Sequence, residues 1–312
     1  MVKKYLSLVK FAHTVFALPF ALIGFFLGIT SYGYWDILFN SKNVEWYAFG
    51  DILDFWGYPQ SKEELVIRFL LVIGCMVFAR SAAMAFNRWL DAEFDKKNPR
   101  TAIREIPSGI IKPNNALAFT IACCLLFIAC CFFINKLCFY LSPVALFVVL
   151  FYSYTKRFTA LCHLVLGLGL SLAPIGAYIA VTGKFAFLPI LFSLAVLFWV
   201  SGFDIIYALQ DEEFDKAHRL HSIPAGLGKK NALRLSEILH ILSAAAVVYA
   251  GFYGHFGIWY WCGVTFFCAL LIYQHLLVKP DDLRKVNMAF FTTNGIASVV
   301  FGAFVLLDLF LK

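Results

Sequence analysis

The chain has 312 residues, of which 62% are hydrophobic and only 14% charged, and its mean hydropathy is +0.79. A soluble domain holds roughly 45–50% apolar and 25% charged residues, so lipid must be the solvent for much of this sequence. The net charge of +7 does not point to a nucleic-acid partner, because the basic residues lie in short loops between apolar runs, where they orient a chain in a membrane.

A spanning helix needs roughly 20 mostly apolar residues. The chain opens with Lys3, Lys4 and Lys10, followed by an apolar run over 13–32 that is long enough to stay as a span rather than a cleaved signal. Residues 33–64 form the one long segment on the outer side. Trp35, Trp46, Tyr47, Trp56 and Tyr58 lie there among acidic residues, a composition suited to the bilayer interface. The second span, 65–88, contains Arg80, a basic residue well inside a span rather than near its end. It runs into Asn87-Arg88-Trp89-Leu90-Asp91-Ala92-Glu93-Phe94-Asp95 and a loop over 89–113 that also carries Arg100 and Arg104. Spans 115–134 and 138–153 form a helical hairpin through Asn135 and Lys136, and Tyr152, Lys156 and Arg157 close it. Spans 161–181 and 187–207 follow, with Asp204 inside the latter, one turn from its end. Next comes Tyr207-Ala208-Leu209-Gln210-Asp211-Glu212-Glu213-Phe214-Asp215, in a loop over 208–233. Spans 234–253, 257–277 and 288–310 complete the chain. The expected fold is all-α: a multi-pass transmembrane bundle of about nine helices around a central cavity, one domain over 1–312. The nine cysteines lie in or beside apolar runs without a CxxC pair, and read as small packing residues rather than disulfides or metal ligands.

Alternation of nine spans puts nineteen of the 26 basic residues on one side of the membrane. The positive-inside rule then places the N-terminus and both acidic loops in the cytoplasm, as in a bacterial inner (plasma) membrane protein with its active site facing the cytoplasm.

Each acidic segment has Asp at i and i+4, which share one face of a helix about a turn apart. Like charges so placed repel, and something positive should sit between them. Mg²⁺ prefers oxygen ligands and is usually held by one or two carboxylates together with substrate phosphates. The segments are also matched copies. Asp91-x-Glu93-Phe94-Asp95-Lys96 repeats as Asp211-x-Glu213-Phe214-Asp215-Lys216, 120 positions on, and an Ile-Pro-x-Gly follows each, at 106–109 and 223–226. Four spans separate the copies, so they share an orientation and form a parallel pseudo-repeat across the cavity. A charged solvated loop would account for one such segment but poorly for two on the same face. Asp91, Asp95, Asp211 and Asp215 are therefore the expected metal-holding and catalytic carboxylates. Arg100, Arg104 and Lys156, with Tyr152 behind them, are the expected diphosphate-binding groups, since Arg grips phosphate oxygens with a fork and Lys acts as a point charge. Arg157 is read equally as a topology signal.

At these residues the chain resembles the UbiA superfamily of membrane prenyltransferases, whose members share NDxxDxxxD after helix 2 and DxxxD after helix 6. Asn98–Gly109 looks like the family's RTxxRxxPSG continuation, Tyr207–Asp215 like its YAxxDxxxD, and Tyr152-x-x-x-Lys156 like its YxxxK. One position departs: Arg88 stands where the family has its first aspartate. A cation there is not a metal ligand, so the first metal set is expected to rest on Asn87, Asp91 and Asp95, with Arg88 free to touch diphosphate or a loop carboxylate. Asn-Arg variants look like those of the 4-hydroxybenzoate polyprenyltransferase-like branch.

The resemblance implies Mg²⁺-dependent transfer of a polyprenyl group from polyprenyl diphosphate to a ring carbon of an aromatic acid in quinone biosynthesis. The implied acceptor is 4-hydroxybenzoate (ubiquinone), or alternatively a naphthoate-type menaquinone precursor. Lys10 and His13, at the entry to the first span, are the expected acceptor-binding residues, and Asp204 is expected to orient Lys156 or a metal-bound water. A cation-coupled transporter is the rival class. Transporters place ionisable sites near the midplane, whereas these acids cluster at one surface. A phosphatidyltransferase would carry a glycine-containing acidic signature that is missing.

Overall fold

The computed structural model describes residues 2–9, 16–31 and 61–311, and every regular element in that set is helical. In chain order they are α1 (Val2–Leu8), α2 (Leu18–Ser31), α3 (Lys62–Leu90), α4 (Ala92–Lys97), α5 (Pro113–Ile134), α6 (Lys136–Thr155) and α7 (Cys162–Thr182). Then follow α8 (Phe187–Ala208), α9 (Glu212–Ala217), α10 (Ile223–Tyr253), α11 (Ile258–Leu277) and α12 (Asn294–Leu311). Eight helical segments among the described residues are long and apolar enough to cross a bilayer, and α2 is a shorter apolar ninth. At 1.5 Å per residue, a helix of about 20 residues covers the roughly 30 Å hydrocarbon layer. Tyr140, Phe147, Ile241 and Leu276 project outward and are exposed. In water such a surface would aggregate; against acyl chains it is solvated.

Local chemistry sets the ends. Ser61 caps α3 by accepting from Glu64 N at 3.2 Å, with Glu63 and Glu64 in the first turn against the positive end of the helix dipole. Pro113 starts α5, where its missing N–H costs no hydrogen bond. Asn135 caps α6 by accepting from Cys138 N at 2.8 Å, and its Nδ2 donates to Ile179 O at 2.9 Å, fastening the hairpin to the end of α7. Two boundaries differ from the hydropathy reading. The helix expected from 234 begins at Ile223, capped by Ser222, and breaks at Gly228, whose φ of 75° suits a residue without a Cβ. Lys229, Lys230 and Arg234 had hidden that start by interrupting the apolar run. The last span begins with a π-helical turn, Met288–Thr293, before α12. Most of the expected outer segment 33–64 lies outside the described residues.

α8 is the central strut, packed against α7 on one side and α10 on the other. Trp199 on α8 is fully buried with Phe20, Tyr260, Phe267 and Phe301 from α2, α11 and α12. Trp199 Nε1 and Gln274 Nε2 both donate to Asn294 Oδ1, at 2.9 and 2.6 Å. That buried junction fixes the π turn, which sets the Phe290 ring 4.2 Å from that of Tyr207 in a stack. Close approach of α7 to α8 depends on Gly167, since a Cβ there would collide with Ser201 Oγ and the Leu197 carbonyl.

Candidate active site

The two acidic copies fold alike. Each first aspartate sits where a long helix gives way to a six-residue one: Asp91 between α3 and α4, and Asp211 at the end of a 3-10 turn before α9. The helical hydrogen bonds continue through the first junction, from Asp91 N to Asn87 O (2.9 Å) and from Asp95 N to Asp91 O (2.8 Å). The aspartates of that copy therefore keep the shared face that their spacing predicts.

A cavity of about 300 Å³ opens between the two copies, lined by Asn87, Asp91, Asp95, Asp211, Arg100 and Arg104, and by Tyr152 and Lys156. Asp215 is fully buried just behind this wall. The carboxylates and cations pair one to one. Arg100 takes Asp211 with a fork: Nε donates to Oδ1 at 3.1 Å and Nη2 to Oδ2. Arg104 Nη1 donates to both oxygens of Asp95, at 2.7 and 2.9 Å. Arg157 Nη2 reaches Asp91 Oδ1 at 3.4 Å and donates to Leu90 O at 2.8 Å. Lys156 Nζ lies 2.7 Å from Asp215 Oδ1. Both Asp215 oxygens are buried, and the Lys156 ammonium offsets their charge. The acids are duplicated, but the cations are not: none of the four comes from the second loop. Arg100 thus crosses from the first copy to the second, where its Nη1 also donates to the Tyr207 hydroxyl at 2.9 Å.

The electrostatics follow from this crowding. Burial, with Asp95 close by, pushes the Asp91 carboxyl up to about 6, and Arg157 and Lys156 offset only part of that. Burial works against the charges of Arg100 and Lys156, yet Asp211 and Asp215 outweigh it and hold both cations' pKa values above their usual range.

The donor set fits a hard divalent cation. It offers carboxylates and one amide, with no sulfur or imidazole, which matches the oxygen preference of Mg²⁺. The fully buried Asp215 carboxylate, and Asp91 with Asp95 close by, would both gain from a nearby divalent cation. Asn87 Nδ2 donates to Asp91 Oδ2 at 3.2 Å, leaving its Oδ1 uncommitted.

Arg88 has a different task. Only 2% exposed, it donates through Nη1 to Glu105 Oε2 at 2.8 Å, while Ser7 Oγ donates to Glu105 Oε1 at 2.5 Å. It clamps the first acidic loop to α1, and Leu8 packs beside it against Ala85, Ile106 and Ile111. Arg88→Ala removes the guanidinium from a largely buried ion pair and should destabilise the fold by about 3 kcal/mol. Thermal unfolding checks this: the midpoint falls, and Glu105→Gln in the same chain recovers part of the loss.

Sequence reasoning left several groups aside. Arg157 is an acid partner as well as a topology signal. Asp204 does not orient Lys156; its Oδ2 lies 2.7 Å from His163 Nδ1, because Lys156 turns to Asp215 instead. Arg80 lines the cavity, has no ion-pair partner among the described residues, and its Nε is buried without a hydrogen bond. Its isolation within a span was the signal available. Arg80, Met84, Tyr152, Leu166 and Leu170 also line a second, apolar cavity of about 340 Å³ among α3, α6 and α7. The expected acceptor ligands Lys10 and His13 lie outside the described residues.

A polar mouth of paired charges that continues into an apolar cavity within a helix bundle defines a membrane enzyme for amphipathic phosphorylated substrates. A model of the UbiA prenyltransferase family matches residues 52–296, and the chain belongs to that family. The 4-hydroxybenzoate octaprenyltransferase of Nitrosomonas europaea is 30% identical over 257 residues, which is 82% of this chain and 88% of that protein. A UbiA homolog from Aeropyrum pernix K1 superposes with a TM-score of 0.77 at 28% identity, over 95% of this chain and 98% of the other. The fold is shared by a UbiA homolog from Archaeoglobus fulgidus bound to DMAPP and Mg²⁺, at a TM-score of 0.68 and 21% identity, over 99% of this chain and all of the other.

Proposed function

We propose that this protein transfers a polyprenyl group from polyprenyl diphosphate to a ring carbon of 4-hydroxybenzoate, with Mg²⁺, in quinone assembly. The observation that carries the reading is the set of four carboxylate–cation pairs at the mouth of an apolar cavity. When carboxylates turn to metal, their cations are released to the diphosphate. Asn87, Asp91, Asp95, Asp211 and Asp215 would hold Mg²⁺, and Arg100, Arg104, Lys156 and Arg157 would take the diphosphate oxygens. Bound Mg²⁺ would supply stabilisation of the negative charge that builds on the departing diphosphate. The fixed cations do the same from the protein side, and Tyr152 marks the boundary between this mouth and the cavity that takes the prenyl chain. The N. europaea relative's substrate and the DMAPP and Mg²⁺ bound by the A. fulgidus homolog support this assignment. The charge bias of the loops supports a cytoplasmic mouth in a bacterial inner membrane, with the whole of 1–312 as one membrane domain.

An electron-rich acceptor with a carboxylate needs a cation set deeper than the diphosphate, and Arg80 answers that need directly. Lys10 and His13 keep their proposed place at the entry to the first span.

The test supplies purified protein in nanodiscs with labelled prenyl diphosphate, Mg²⁺, and either 4-hydroxybenzoate or a dihydroxynaphthoate. C-prenylated 4-hydroxybenzoate is the expected product. Exclusive prenylation of the naphthoate would move the step to the menaquinone route, and no product with either acceptor would overturn the transferase reading.

Metal binding should also depend on pH. With the Asp91 carboxyl near 6, Mg²⁺ must displace a proton below that pH. The apparent Mg²⁺ affinity should fall by about tenfold per pH unit below pH 6 and level off above it. Calorimetric titration from pH 5 to 8 checks this; a flat profile contradicts the placement of Asp91 on the metal.

A further inference from the structure

We infer that Asp204, held by His163, is the base that removes the ring proton of the acceptor. The inference rests on the transferase reading above. The aspartates at the cavity differ in their partners. Asp91, Asp95, Asp211 and Asp215 each face an Arg or Lys. Asp204, which lines the same cavity, faces an imidazole instead, with His163 Nδ1 2.7 Å from Oδ2.

The surroundings fix the direction of that hydrogen bond. Ile223 N donates to His163 Nε2 at 3.4 Å, so Nε2 is the acceptor nitrogen and Nδ1 carries the hydrogen. His163 therefore donates to Asp204 and leaves it a carboxylate. The imidazole is 3% exposed and cannot swing away, whereas the Asp204 side chain is 21% exposed. The hold is tight because Gly167, one turn on from His163, lets α7 lie directly on α8.

Asp204 also sits at the right depth. Asp204 lies on α8 seven residues before Asp211, about 10 Å along a helix axis. That places it below the diphosphate mouth, in the cavity that Arg80 also lines and beside the boundary to the apolar cavity. The acceptor ring must lie between the prenyl C1 and such groups.

The chemistry needs a base there. The C1–O bond of the prenyl diphosphate breaks with its electron pair leaving on oxygen, and the ring π electrons form the new C–C bond to C1. The attacked carbon then carries both its hydrogen and the prenyl group. Loss of that proton to Asp204 returns the C–H electron pair to the ring and restores aromaticity. Arg80 is a cation, both nitrogens of His163 are engaged, and the other four aspartates are committed to cations. His163 is a positioning residue, since its contact is with Asp204.

The experiment compares the wild type with Asp204→Asn, using 4-hydroxybenzoate either unlabelled or deuterated at the ring carbons beside the hydroxyl. Mg²⁺-dependent binding of a non-reactive prenyl thiolodiphosphate is measured in parallel. Asp204→Asn should bind the analogue within about twofold of wild type and lose about a hundredfold or more in kcat. A primary isotope effect absent from the wild type should appear in the variant. His163→Leu should lower kcat with little change in KM, and His163→Asn, which keeps an N–H donor towards Asp204, should recover part of the loss. Wild-type kcat in Asp204→Asn overturns the inference. So does a slow variant with no isotope effect, which would give the proton to the diphosphate or to water. A wild type that transfers no label to 4-hydroxybenzoate would instead sink the transferase reading, so the two failures are distinct.

Discussion

Asp211→Ala should abolish prenyl transfer in a protein that still inserts and folds. Asp211 is where the two halves of the site meet. Arg100 grips it with Nε and Nη2, Asn98 Nδ2 donates to it at 3.3 Å, and Arg100 is itself held by Tyr207. Removing the carboxylate deletes a proposed metal ligand and frees Arg100 to drift from its proposed place on the diphosphate. Loss of a single charge-stabilising group in a preorganised site costs about a hundredfold to a thousandfold; here two functions fall together, so the upper end is expected. Asp282→Ala is the control. Its partner is the exposed Arg284, which donates to it at 2.9 and 2.7 Å away from the cavity. That variant should keep the wild-type rate. Label-transfer assays on both proteins, with circular dichroism to verify the helices, decide the matter; substantial activity in Asp211→Ala would remove it from the metal site.

The second large effect is expected at Arg80. A guanidinium inside a membrane span is costly unless something anionic faces it. Among the described residues no carboxylate pairs with Arg80, and its Nε has no hydrogen bond. It faces the place where the polar mouth meets the apolar cavity. We assign it the acceptor's carboxylate. Truncating one partner of a buried charge pair costs about 2–5 kcal/mol, so Arg80→Ala should raise KM for 4-hydroxybenzoate about a hundredfold. Binding of the prenyl thiolodiphosphate should be unchanged, because the proposed diphosphate grip lies with Arg100, Arg104 and Lys156. Arg80→Lys keeps the charge without the fork and should fall between the two. A phenol lacking the carboxylate should react poorly with the wild type and no worse with Arg80→Ala. Equal KM values for 4-hydroxybenzoate in wild type and variant would exclude this role.

Much of the architecture is legible in the sequence because the bilayer imposes a simple rule: an apolar run of a set length, then a charged loop. That rule gives the spans within a few residues, and the duplicated DxxxD segments identify the polar mouth. It does not give the start of α10, where basic residues interrupt the run before the helix begins. Nor does it reveal the π turn before Asn294, which depends on contacts with Trp199 and Gln274 from other helices. Charge pairing escapes it altogether. Arg100 meets Asp211 across 111 positions, and no local pattern says which carboxylate a given cation will face. For the same reason Arg157 reads equally as topology, and Asp204 is expected to orient Lys156 or a metal-bound water, whereas tertiary packing gives it His163. Arg80 stands out by position, but its mostly apolar or small neighbours leave no periodicity to say which face it occupies.

The central claim is that these charge pairs are the diphosphate site, exchanging partners when substrate and metal arrive. A structure determined with Mg²⁺ and a prenyl thiolodiphosphate tests it most directly. Asp91, Asp95, Asp211 and Asp215 should then be turned to metal, with Arg100, Arg104 and Lys156 released onto diphosphate oxygens and the chain lying past Tyr152. All four pairs intact, with the diphosphate bound elsewhere, would contradict it.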